Sequence, residues 1–242
     1  MTTRLVSVVI DAADPGSLAR FWADLLGWRV TYEDHEEVTV EASEADGWGL
    51  ELVFVPVTEV KTGKNRVHLD LSSTSLVAQQ ATAARAGDLG ATPVDIGQGD
   101  VPWVVLADPE GNEFCVLEPR PEYADTGTVA SIVVDVGDPR ALAPFWSSVT
   151  GWPIIRDTES ITSLRANEGH GPWLELVKSA EPKTVKNRVH LDIAPFADGD
   201  VAAEEQRLGA LGAVPVDIGQ REVPWTVLAD PDGNEFCVLS PR

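Results

Sequence analysis

Lys64-Asn65-Arg66-Val67-His68-Leu69-Asp70-Leu71 returns as Lys186-Asn187-Arg188-Val189-His190-Leu191-Asp192-Ile193, 122 positions further along a chain of 242 residues. The chain is therefore a tandem duplication, and this segment sits at the centre of each half. Val67, Leu69 and Leu71 alternate with His68 and Asp70, the period of a β-strand. One face suits a core. The other carries an imidazole and a carboxylate and suits a polar cleft.

Two units of about 120 residues are each long enough for a hydrophobic core. The formal net charge is -21, from 39 acidic and 18 basic residues. Such a surface repels polyanions, which argues against nucleic acid and anionic membranes as partners and leaves a small-molecule ligand. Met1-Thr2-Thr3-Arg4 runs straight into strand-like sequence, so no signal peptide is expected, and no apolar run reaches membrane-spanning length. Cys115 and Cys237 occupy equivalent places, one per copy. That argues against a disulfide and for a reducing, cytoplasmic setting. A monomer with two pseudo-equivalent domains and a homodimer are both compatible with these features.

The first copy reads in order as strand Leu5 to Ile10, a helix opened by Asp14-Pro15 and closed by Gly27, and strands Trp28 to Tyr32, Val38 to Ala42 and Leu50 to Val55. The order then restarts. The strand at Val67 leads to an Ala-rich helix from Ser75 to Leu89, then strands Pro93 to Ile96, Trp103 to Ala107 and Glu113 to Leu117. Asp108-Pro-Glu-Gly111 is a tight turn between the last two. Each copy is thus two β-α-β-β-β modules. Glu118 to Gly127 is rich in Pro and charge and reads as connecting chain. The expected division is residues 1–119, a linker 120–127, and residues 128–242. The fold class is α+β, each duplicated domain pairing two modules into an open, cleft-lining sheet. Closure within each copy and closure between copies both remain open.

Paired modules of this kind, with helix text ADPGSLARFWADLLGW and the closing ADPEGNEFCVL, resemble the vicinal oxygen chelate superfamily: glyoxalase I, extradiol dioxygenases and bleomycin-resistance proteins. The likeness is greatest to its glyoxalase-like branch. The metal enzymes of that family place four ligands on the first and last strands of their modules. Carried over, the resemblance implies Ser7, Glu51, His68 and Cys115 in the first copy, and Ser131, Glu175, His190 and Cys237 in the second. Ser stands where the family usually has His, and Cys where it usually has Glu. No cofactor is therefore expected. If a divalent metal binds, its ligands are Glu51, His68 and Cys115, and Glu175, His190 and Cys237.

Strand parity places Ser7, Glu51, His68, Asp70 and Cys115 on one concave surface. The expected catalytic pairs are His68 with Glu51 and His190 with Glu175, a carboxylate beside each imidazole bringing proton transfer toward neutral pH. Cys115 and Cys237 become nucleophiles if the histidines lower their pKa values. Space-filling is the competing reading for the thiols. Hydrogen bonding to the Lys64-Asn65-Arg66 loop is the competing reading for His68 and Asp70. Ser7, Asp70, Trp103 and Ser131, Trp173, Asp192, Trp225 complete the expected ligand sites. Trp22 and Trp146 read as core, whereas Trp103 and Trp225 open strands near the rim and suit stacking on a flat ligand. Trp48 precedes Glu51 by three residues and Trp173 precedes Glu175 by two, so the two cavities should differ in shape. Lys61, Lys64 and Arg66, repeated as Lys183, Lys186 and Arg188, are expected to pair with neighbouring carboxylates.

The leading expectation is a glyoxalase-like enzyme doing metal-independent acid/base chemistry, of isomerase, lyase or cyclase type, on a planar, partly apolar metabolite. The alternatives are a metal-free protein that sequesters an aromatic or antibiotic-like compound, and a divalent-metal-dependent lyase or dioxygenase.

Overall fold

The structure is a computed structural model that describes residues 2–44, 46, 47, 49–166, 169–220 and 222–242. Trp48 lies outside them. The first module is β1 (Thr3–Ala12), α1 (Pro15–Leu26), β2 (Arg29–Glu33), β3 (Val38–Glu41) and β4 (Glu51–Pro56). The second is β5 (Val67–Leu71), α2 (Leu76–Asp88), β6 (Thr92–Pro93), β7 (Val104–Ala107) and β8 (Glu113–Val116). The third is β9 (Val129–Val136), α3 (Pro139–Thr150), β10 (Ile154–Asp157), β11 (Ile161–Arg165) and β12 (Trp173–Lys178). The fourth is β13 (Val189–Pro195), α4 (Val201–Ala210), β14 (Val214–Pro215), β15 (Thr226–Ala229) and β16 (Glu235–Val238).

Local chemistry explains the elements. Asp14 caps α1 by accepting from the Ser17 amide, Pro15 takes the first helical position, and Gly27 ends the helix at φ 72°. Asp138, Pro139 and Gly151 do the same for α3. Strand β6 stops at Pro93, short of the expected Ile96, because Pro93 offers no N–H and the segment lies at an exposed sheet edge.

The modules pair across the copies. One sheet runs β14-β15-β16-β13-β1-β4-β3-β2 and the other β10-β11-β12-β9-β5-β8-β7-β6. The first module therefore joins the fourth through antiparallel β1 and β13, and the second joins the third through β5 and β9. Both sheets are open and mixed, and the fold is the expected duplicated α+β architecture. Closure between copies is the alternative realised.

The aromatic contacts of α1 and α3 stay within a copy, while α3 also packs on β1 of the other copy, where Thr3 Oγ1 donates to the Val149 carbonyl. Trp22 of α1 meets Phe114 of β8 edge-on at 5.1 Å, and Trp146 of α3 meets Phe236 of β16 at 5.5 Å. The Trp22 indole donates to Asp108 Oδ2 at 3.2 Å, while Asp108 Oδ1 accepts from the Glu110 and Asn112 amides at 2.9 Å. The Asp-Pro-x-Gly-Asn turn is thus a structural clasp under a core tryptophan, and Asp230 repeats it under Trp146 at 3.1 Å.

Candidate functional site

Strand register builds each concave face row by row, because directly paired residues share a face. On the second sheet one row reads Val105, Cys115, Asp70, Ser131, Trp173, Arg165. The next reads His68, Val133, Glu175, Ser163, Arg156. On the first sheet the matching rows are Val227, Cys237, Asp192, Ser7, Glu51, Glu41, Arg29 and His190, Val9, Val53, Thr39, Tyr32.

Two expectations change. His68 and Glu51 lie on different sheets, as do His190 and Glu175, because the pairing crosses the copies. His68 shares its row with Glu175, and Glu51 lies on the face that carries His190. The proposed ligand sets Glu51, His68, Cys115 and Glu175, His190, Cys237 are split in the same way. Glu51 and Glu175 are also not equivalent. Ser7 pairs with Glu51, but Ser131 pairs with Trp173, so Glu175 stands where the first sheet has Val53. The connection between β3 and β4 spans nine residues, that between β11 and β12 only seven. A two-residue change preserves facing but moves the carboxylate one row, about 7 Å along the strand.

The residues that do converge are His68, Asp70 and Cys115, and His190, Asp192 and Cys237. In each trio the donor atoms lie within 4.8 Å of one another, and all six residues are buried. Nε2 of each histidine is 3.5 Å from the aspartate Oδ1, and Cys237 Sγ is 3.5 Å from His190 Nε2. Ser7 Oγ donates to Asp192 Oδ2 at 3.2 Å. Among the described residues, no hydrogen-bond partner reaches Asp70 Oδ1, Asp192 Oδ1, His68 Nδ1 or Ser131 Oγ. The Lys64–Arg66 loop does not supply one: Asn65 bonds Asn112 and Glu113, and Arg66 bonds Asp232. Burial holds His190 uncharged, its pKa lowered to about 3, and pushes the Asp192 carboxyl up to about 7. Burial, reinforced by Asp70 and Asp192, raises both thiols above the ordinary cysteine range. This opposes the activation a nucleophile needs, and both cysteines rest as thiols.

The superfamily implies a divalent metal, and the trios fit one. Ligand bonds of about 2.0–2.3 Å in a tetrahedral site set neighbouring donors roughly 3.5 Å apart; both His–Asp pairs and the Cys237–His190 pair stand at 3.5 Å, and every donor pair of a trio lies within 4.8 Å. The unpartnered aspartate oxygens face the same space. His, Asp and Cys together are zinc-type donors.

Glu175 is the second feature of this face. It is buried, accepts from Ser163 Oγ and Tyr123 Oη at 3.0 Å each, and has an Arg156 guanidinium nitrogen 3.5 Å away. Burial raises its pKa, and the Asp70 charge raises it further. Tyr123 comes from the connecting segment, where Pro121–Tyr123 forms a short turn that lays the ring into the site. Sequence reasoning missed it. The available signal was a lone aromatic in a charged, Pro-rich stretch. Ser163, Arg156 and Arg165 were missed as well.

The tryptophans divide. Trp173 faces the cleft as expected, but it packs with Cys115, Leu117 and Tyr123 and has Arg156 and Arg165 within 5.9 and 5.3 Å of its ring, so it seals the site. Trp103 lines a pocket of about 310 Å³ with Val94, Ile96, Gln98, Val101 and Val105, and Val105 is the row neighbour of Cys115. The Arg120 guanidinium lies 5.4 Å from the Trp103 ring centre. Trp225 is 40% exposed.

Comparison with known proteins follows the same duplication. A family model described as a glyoxalase-like domain matches residues 7–117 and again residues 131–239. Glyoxalase 1 of Caenorhabditis elegans is 26% identical over 145 residues, which is 56% of this chain and 49% of that protein. Glyoxalase 1 of Caenorhabditis briggsae is 26% identical over 144 residues, with the same shares. The chain spans about half the length of the curated relatives it matches. Glyoxalase I of Zea mays superposes with a TM-score of 0.65 at 17% identity, over 99% of this chain and 92% of that one.

Proposed function

Because the chain belongs to the glyoxalase-like family of the vicinal oxygen chelate superfamily in both of its halves, we propose that it is a small-molecule enzyme whose proton chemistry runs on the second sheet. The observation that carries this reading is Glu175: a buried carboxyl with a raised pKa, oriented by Tyr123 and Ser163, on the face that also bears His68, Asp70 and Cys115. Burial favours the neutral form of this carboxyl, and a carboxyl so placed both takes and returns a proton. His68 stands two strands away in the same row, about 10 Å by strand spacing, enough to place a small ligand between the two groups. One group then removes a proton and the other delivers one, as isomerisation, elimination or cyclisation requires. The Trp103 pocket offers an aromatic face and several valine and isoleucine side chains beside Asp95, Gln98 and Asp100, which suits a planar ligand that is only partly apolar.

Donor spacing favours a second reading, in which the enzyme is metal-dependent. His68, Asp70 and Cys115 would hold one divalent ion, and His190, Asp192 and Cys237 another. When bound, such an ion polarises a substrate oxygen as a Lewis acid. Glu175 keeps its role of moving a proton.

Tryptophan-fluorescence screening against planar metabolites identifies a ligand, and turnover of that ligand is then followed in wild type and His68→Ala. Turnover lost with binding kept supports the enzyme. A ligand that binds tightly and is never converted, with or without added zinc, points instead to sequestration. Equilibrium dialysis against zinc, with Cys237→Ser as control, addresses the second reading: two ions per chain falling to one in the variant supports it, and none contradicts it.

A further inference from the structure

Beyond the sheet cavities, a pocket of about 600 Å³ lies where the two copies of the basic loop face each other, residues 59–66 on one side and 181–188 on the other. None of the six clustered His, Asp and Cys residues lines it. Its wall carries six cations, Lys61, Lys64, Arg66, Lys183, Lys186 and Arg188, against four anions, Asp11, Glu59, Asp135 and Glu181. The lining side chains thus carry a small positive excess on a chain of formal net charge -21, while each cation also has a carboxylate partner.

The pairing inside the pocket shows which cations are committed. Arg66 donates to the Glu181 and Asp135 carbonyls and to Asp232, and Arg188 mirrors it with the Glu59 and Asp11 carbonyls and Glu110. These arginines clamp one copy to the other. Lys61 and Lys183 bond Glu113 and Glu235, which stand behind the wall. Lys64 pairs with Asp135 and Lys186 with Asp11. Their side chains are 25% and 34% exposed. An ammonium has three N–H groups. Among the described residues, Lys64 and Lys186 each spend one on a carboxylate, and both line the pocket from opposite loops. Thr62 and Thr184 repeat beside them.

We propose that this pocket binds a compact dianion carrying its charges at two ends, a diphosphate or a short dicarboxylate, with Lys64 and Lys186 as the opposed contacts. The acidic surroundings disfavour an extended polyanion. The assignment goes beyond the reading of Glu175 and is independent of it.

Calorimetric titration of the full chain with pyrophosphate and, separately, succinate tests it and distinguishes the two sources. One saturable site per chain is expected for at least one probe, unchanged in Glu175→Gln. Lys64→Gln/Lys186→Gln should abolish it, but those changes leave Asp135 and Asp11 unpaired and endanger the fold. Val60→Glu/Val185→Glu avoids this, since Val60 and Val185 line the pocket at 85% and 51% exposure. That variant should keep the wild-type Tm and weaken binding by at least about tenfold. No saturable binding of either probe, or undiminished affinity in the folded valine variant, overturns the proposal.

Discussion

The two concave faces share a trio with its flanking serine and valines and differ in the groups beyond them. Both carry His, Asp and Cys within 4.8 Å. On the second sheet a buried carboxylate joins the histidine row, under a tyrosine from the connecting segment. On the first sheet that position is Val53, and the glutamate, Glu51, lies half-buried one row away beside Glu41. Burial raises the Glu51 carboxyl too, but it has neither the phenol nor the serine partner of Glu175. Duplication supplied two copies of a scaffold, and a connection two residues shorter in the second copy was enough to make two different sites.

The largest effect should separate the two glutamates. Glu175→Gln should cut turnover of a bound substrate by about 100-fold or more, the ordinary worth of a general acid/base, while Glu51→Gln should change it less than about tenfold. Equal losses in steady-state kinetics would break the distinction. The scaffold should show the opposite, symmetric behaviour. Asp108→Ala and Asp230→Ala each unpartner a tryptophan indole and open a turn, and each should cost about 1–3 kcal/mol in urea unfolding. A large difference between them would mean that the halves differ in frame as well as in site. Tyr123→Phe removes one hydrogen bond to Glu175 and should destabilise by about 1 kcal/mol, while leaving zinc or ligand binding on the first sheet untouched.

A further effect is a change of slope with pH. The Asp192 carboxyl, raised to about 7, contributes stability that is fully present below its unfolded value and is lost as pH rises through 7. His190, lowered to about 3, contributes stability present above its unfolded value and lost as pH falls through 3. Between roughly pH 4 and 6.5 the two slopes oppose each other. Asp192→Asn removes one of them. The variant should gain on wild type above neutrality and fall more steeply on acidification, as measured by denaturant midpoints across that range. Parallel curves would contradict the assignment.

Much of this was legible in the sequence. Asp14-Pro15 and Gly27 mark a helix with its caps, and the alternation through Val67–Leu71 identifies which side chains share a face. The alternation sets His68, Asp70 and Cys115 on one face, but it does not single them out from Ser7 and Glu51, which share the same parity. The partner of each strand was not legible, for a physical reason. Val67-His-Leu-Asp and Val189-His-Leu-Asp are identical, so pairing within a copy and pairing across copies offer the same side chains and similar edge energetics. The misplaced glutamate has a different source. Leu50-Glu51-Leu52 and Leu174-Glu175-Leu176 match as text, but the loop before the second is two residues shorter. A shift of two preserves parity and so escapes a face-counting argument. The unequal spacing of Trp48 and Trp173 was the trace of it.

The central claim is that the second and third modules build one site, joining Asp70 to Glu175. The direct measurement is the Glu175 pKa by carbon-detected NMR in wild type, Asp70→Asn and Asp192→Asn. Because the Asp70 charge raises it, the account predicts a fall in Asp70→Asn and no change in Asp192→Asn. A Glu175 that ignores Asp70 and answers to Asp192 would contradict the cross-copy site.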